Sequence, residues 1–112
     1  MKTHKRRLIV PLLLLAAACA GIGRSLPRAE DLAVATGEDV DALRRGRVSY
    51  VRECTACHRH YWPEEYSPAA WGTIAPDMGE RAGLAPGDID DLTRFLQAAS
   101  RESRRIATPK TN

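Results

Sequence analysis

No stretch of this 112-residue chain is both long and uncharged enough to read as a membrane span. The longest uncharged run, Leu8 to Ala18, has 11 residues, and extended to Gly23 it has 16. A spanning helix takes roughly 17–25, and Pro11 sits badly inside any helix. Strand-like alternation is missing throughout, which excludes a β-rich class. No internal repeat appears, so one small domain is expected. An excess of basic charge is also missing where it would matter. The chain carries 17 basic and 14 acidic side chains, but residues 1–18 hold four of the basic ones and none of the acidic, leaving 13 against 14. Between Gly37 and Ala99 there are 7 basic and 11 acidic side chains. The body of the protein is mildly acidic, and no nucleic-acid partner is expected. Finally, there is no second pair of closely spaced cysteines.

The amino-terminal end has the order of an export signal. Lys2, Lys5, Arg6 and Arg7 precede the apolar run, and Ala16, Ala17 and Ala18 close it. Residues 1–18 are therefore expected to be an export signal, with a short retained anchor as the alternative. Leu15-Ala16-Ala17-Ala18-Cys19 resembles a bacterial lipobox. That resemblance makes Cys19 a candidate for acylation and for a membrane tether. The other course is cleavage slightly later, which discards Cys19; either outcome avoids a loose thiol in an oxidising compartment. Residues 19–38 read as a flexible tether, with a short helical turn near Glu30 to Ala35. Residues 105–112 read as a solvated, disordered basic tail.

Between these ends, residues 39–104 carry helical signals. Asp39 is placed to cap a helix running to about Glu53, along which Val40, Leu43, Tyr50, Val51 and Cys54 recur near helical spacing. Gly46 inside it costs about 1 kcal/mol relative to alanine, and a packing reason is the usual explanation. Arg59 to Ser67 reads as loop. Ser67 and Pro68 open a second helix, which Pro76 should end or kink, with Asp77 to Ala82 continuing it and Gly83 as a stop. Pro86 opens the last helix, on which Ile89, Leu92, Phe95, Leu96 and Ala99 share one face. The expected class is all-α, three to four helices.

The chemistry rests on Cys54-Thr55-Ala56-Cys57-His58. Two thiols at this spacing can each add to one of the two haem vinyl groups, and the next residue then brings an imidazole to one face of the iron. Thiol–disulfide exchange usually sits on a β-α-β scaffold, and no strand is visible. Zinc held by Cys54, Cys57, His58 and His60 would want ligands from a second segment, and none exists. A structural disulfide across so short a loop would stabilise little. Covalent haem c, one per chain, is the expected cofactor. About 65 residues make a small core, and a covalently held apolar plate would be part of folding.

Gly46-Arg47-Val48-Ser49-Tyr50 followed by Cys54 to His58 resembles the first helix and haem motif of small monohaem class I c-type cytochromes. The resemblance covers roughly Val40 to Ala99 and implies a domain wrapped around one haem. It also implies that Gly46 meets an aromatic of the last helix, for which Phe95 is the match. Cys57-His58 with Tyr61, Pro63 and Trp71 is similar, more weakly, to the spacing around one haem of certain dihaem cytochromes c.

His58 is the expected proximal ligand. On the other face, His4 lies in the signal and His60 stands too close to His58 to reach across. Met78, 20 residues after His58, is the remaining candidate. With Met78 on the iron, the protein is an electron carrier, not an enzyme, passing electrons between redox proteins outside the cytoplasmic membrane, in the periplasm. With the sixth position open, it is a ligand-binding or sensing haem protein, or an accessory subunit of a larger redox enzyme. Trp62, Trp71, Tyr61 and Tyr66 either line the haem or serve as ordinary core aromatics. Mass spectrometry of the secreted chain is expected to show a mature amino terminus at or just after Cys19; an intact chain beginning at Met1 overturns the export reading.

Overall fold

The computed structural model describes residues 25–54 and 61–108. The export segment, Cys19, Cys57, His58, His60 and residues 109–112 lie outside the described residues. Among the described residues the fold is four α-helices and one 3₁₀ turn, without a strand: α1 is Ala29–Thr36, α2 Val40–Glu53, α3 Pro68–Arg81 and α4 Pro86–Ala107, and the turn is Pro63–Glu65. The expected all-α class is what the chain adopts.

Local chemistry sets most of the boundaries. The Asp39 carboxylate accepts a hydrogen bond from the Ala42 N–H at 3.1 Å and caps α2. Ser67 does the same for α3, accepting from the Ala70 N–H at 3.1 Å, with Pro68 in the first position. Each cap satisfies an N–H that the helix leaves orphaned, worth about 1 kcal/mol. At the other end of α3, Gly83 takes a left-handed conformation at φ 75°. The Leu84 N–H reaches back to the Gly79 carbonyl at 3.0 Å and the Gly83 N–H to the Glu80 carbonyl at 3.0 Å. That is a Schellman motif, and it satisfies carbonyls the helix would otherwise leave open.

α4 is the common partner. Leu92, Phe95, Leu96 and Ala99 are buried along one stripe of it. α2 and α3 each pack extensively on α4, α1 leans on α2 and α4, and α2 and α3 do not pack on each other. The α2–α4 crossing is unusually close. A Cβ built on Gly46 would lie 2.0 Å from the Asp91 carbonyl oxygen and 2.8 Å from the Phe95 Cβ. Only glycine fits there, and the pairing of Gly46 with Phe95 is as expected. The Arg45 guanidinium bonds the Asp91 carboxylate at 2.7 Å beside the same crossing.

Four details depart from the sequence reading. The segment read as a flexible tether does turn helical where expected, near Glu30 to Ala35, but as a full helix, α1, whose Ala29 and Leu32 are buried in the core. The packed unit thus begins at Ala29, ahead of Asp39. α3 runs through Pro76. Pro76 forfeits one backbone bond, but Ala75 and Gly79 on either side of it are buried, so tertiary packing holds both halves. Val51 is exposed, and Leu43 and Tyr50 form the inward face of α2. α4 continues to Ala107, so residues 105–107 of the expected tail are helical.

Gly46→Ala is expected to lower stability by about 1–3 kcal/mol or more, because rigid backbone faces the added methyl. Gly87→Ala, which has nothing within 4 Å of its Cβ position, is expected to be neutral or to gain up to about 1 kcal/mol. Urea unfolding of the two variants checks both.

Candidate functional site

The carboxyl end of α2 delivers Cys54. Its N–H bonds the Tyr50 carbonyl at 3.2 Å, so the residue continues the helical track by one position. The thiol is half-buried, and burial, followed by the neighbouring Glu53 charge, pushes it up to about 11. Cysteines that perform thiol exchange are instead held low, so that thiolate is present near neutrality.

Tyr50, one turn earlier, is buried with its ring 5.8 Å from that of Phe95. Its hydroxyl donates to the Tyr61 carbonyl. One core side chain therefore ties Tyr61, three residues beyond the motif, to the helix that leads into it. Burial is the main reason the Tyr50 hydroxyl is held strongly to its proton.

The carboxyl end of α3 delivers Met78. Because α2 and α3 lean on α4 without touching each other, a cavity of about 440 Å³ opens between their ends. Glu53 and Cys54 line it from α2 and its end, and Asp77, Met78, Gly79, Arg81 and Ala82 from α3 and its end. Among the described residues, Leu84 of the Schellman turn and Leu92 of α4 also line it. The size falls within the roughly 300–1,000 Å³ of cofactor sites. Met78 is thus in the last turn of α3, and it shares one space with Cys54. Met78, Leu84 and Leu92 give an apolar wall with one soft sulfur donor. Asp77 and Arg81, paired at 3.0 Å on the exposed side, make a charged rim. An apolar, plate-shaped group joined at Cys54 fits this arrangement.

The aromatic residues stand elsewhere. Trp71, Tyr66 and Tyr61 are absent from the cavity lining. They stack edge to face instead, at 5.2 Å between Trp71 and Tyr66 and 5.7 Å between Tyr66 and Tyr61. The Trp71 indole N–H donates to the Pro63 carbonyl at 2.7 Å, and the buried Ser100 hydroxyl to the Tyr66 carbonyl at 2.6 Å. These contacts anchor the 61–67 segment to α3 and α4, which is the ordinary core role. Arg81 borders the cavity, and Tyr66 does not.

Cys57, His58 and Cys19 lie outside the described residues, so the structure brings together Cys54 and Met78 from the expected set. Sequence reasoning passed over Leu84 and Gly79. The signal for Leu84 was present: an apolar residue directly after a helix-ending glycine is the usual hydrophobic partner of a Schellman turn.

No family model matches the chain, and no solved structure does. Among curated proteins, 44 residues of it are 36% identical to part of the cytochrome c-type protein TorY of Escherichia coli O157:H7. The match takes in 39% of this chain and 12% of that protein's length. Over that stretch the chain is cytochrome c-like.

In the haem-free folded protein, Cys54 is expected to resist alkylation at pH 8 and to react as pH rises toward about 11. Because the folded thiol holds its proton more tightly than the unfolded one, its contribution to stability is present at neutral pH. That contribution is lost as pH climbs from about 8.5 toward the folded value. Peptide mapping after iodoacetamide treatment checks this; rapid modification of Cys54 in the folded protein at pH 8 contradicts it.

Proposed function

We propose that this chain carries single electrons on one covalently attached haem c, working outside the cytoplasmic membrane between redox protein partners. The observation that carries the reading is that Cys54 and Met78, on separate helices, line one apolar cavity at the end of the helix leading into Cys-x-x-Cys-His. The likeness to a cytochrome c-type protein supports it. In this reading Cys54 and Cys57 attach the haem, His58 is the proximal iron ligand and Met78 the distal one. Bound haem iron supplies a reversible one-electron change, and a thioether ligand raises its potential.

The rest of the work belongs to this chain's own side chains. Leu84 and Leu92 keep water from the Met78 side. Tyr50 and Phe95 hold α2 on α4 so that Cys54 stands at the cavity mouth. Asp77 and Arg81 hold each other at the rim, where a partner's approach would meet compensated charge. The export signal over 1–18 places the chain where such attachment occurs, and acylation of Cys19 would tether it. A second reading is an accessory electron-transfer part of a larger redox assembly, favoured by the relative's much greater length.

A pyridine haemochrome assay on periplasmically expressed protein is expected to report c-type haem at one per chain; none sinks the reading. Met78→Ala is expected to retain that haem and lose the far-red methionine–iron band. Carbon monoxide binding to the reduced wild type instead favours the open-site reading.

A further inference from the structure

Met78 stands beside a close approach of α3 to α4 at Gly79. Gly79 is buried, and a Cβ built there would lie 2.8 Å from Ile89 Cγ1, 3.4 Å from Cδ1 and 3.5 Å from Cγ2. Carbon atoms rest about 3.5–4.0 Å apart, so a methyl group would need about 1 Å more room. Ile89 yields poorly, because a β-branched side chain in a helix has one strongly preferred rotamer. The carbonyls of this turn are also occupied. Gly79 accepts the Leu84 N–H at 3.0 Å, and Met78 accepts the Ala82 N–H at 2.9 Å. The turn is therefore held by its cap at one side and seated on α4 at the other. Gly72, on the same helix, is different: its Cβ would meet only the Gln97 amide nitrogen, at 3.0 Å, the far end of a flexible side chain.

We propose that Gly79 is the positioning residue for Met78: its missing side chain lets the last turn of α3 seat on Ile89, and that seat sets where the Met78 thioether stands in the cavity. The proposal rests on Met78 being the distal ligand. A ligand must be held within about 0.5 Å of its productive place. Displacing the turn by about 1 Å takes the sulfur out of reach while leaving Cys54, on α2, undisturbed.

The test uses full-length holoprotein in four forms: wild type, Gly79→Ala, Gly79→Ala with Ile89→Ala, and Gly72→Ala. Haem content, helix content by circular dichroism, the far-red methionine–iron band and the midpoint potential are measured on each. Gly79→Ala is expected to keep its haem and helix content, to lose more than half of the band, and to shift to a lower potential. Ile89→Ala removes all three crowding atoms and is expected to restore both readouts in the double variant. Gly72→Ala is expected to match the wild type. A Gly79→Ala protein with the full band and unchanged potential overturns the proposal. Should that variant fail to accumulate, the double variant decides: a wild-type band supports the seat, and a folded, haem-bearing protein without the band overturns it. A wild type that lacks the band overturns the Met78 reading itself, and this one with it.

Discussion

The close approach of α2 to α4 at Gly46 is the constraint on which the rest of the structure depends. With the Asp91 carbonyl and the Phe95 side chain directly over the position a Cβ would take, the crossing distance admits no other residue. That contact fixes α2 along its whole length, because Arg45 bonds Asp91 on one side and the Tyr50 ring meets Phe95 one turn onward. Cys54 is one further turn along. Its place is thus set by a glycine two turns away, through backbone too stiff to absorb the difference.

The second wall of the cavity is set by the same helix and by different means. α3 reaches α4 through Ala75, Gly79 and the Trp71 indole, which is buried and bonded to the Pro63 carbonyl. Since α2 and α3 do not pack together, the gap between them is no packing failure. It is the space left when two helices lean on opposite parts of a third. Leu92 on the shared helix forms part of its lining. A core this small buries little apolar area by itself. An apolar group filling the gap would join the two walls and add to the stability of the fold.

Much of this was legible in the sequence, because the signals are local. Asp39, Ser67, Pro68, Gly83 and Pro86 mark helix ends by chemistry that needs no tertiary knowledge. The apolar stripe of α4 is a strong 3.6-residue period. What the sequence hid depends on neighbours. α1 buries Leu32 on α2 and α4; its helical turn was legible, but so short a segment does not show that it packs on the core. Pro76 is a helix breaker in isolation and is overruled by the buried residues on either side of it. Val51 has the same spacing credentials as Tyr50, and only the position of α4 decides which of them is covered. At the site, Met78 could be reached by elimination among few candidates, whereas its company with Leu84 depends on how α3 ends. Trp71 and Tyr66 suited either the core or a cofactor edge, with the core the readier reading, since composition does not say which cavity an aromatic faces.

The shared helix is also the last of the four along the described residues. A chain is made from its amino terminus, so Val40–Glu53 and the motif that follows exist before Pro86–Ala107 does. Until α4 arrives, α2 has only α1 to lean on, and the cavity that Cys54 lines lacks its Leu92 wall. The order of the helices along the sequence therefore leaves an interval in which Cys54 is not yet enclosed. The arrival of α4 ends that interval by bringing the two walls into place.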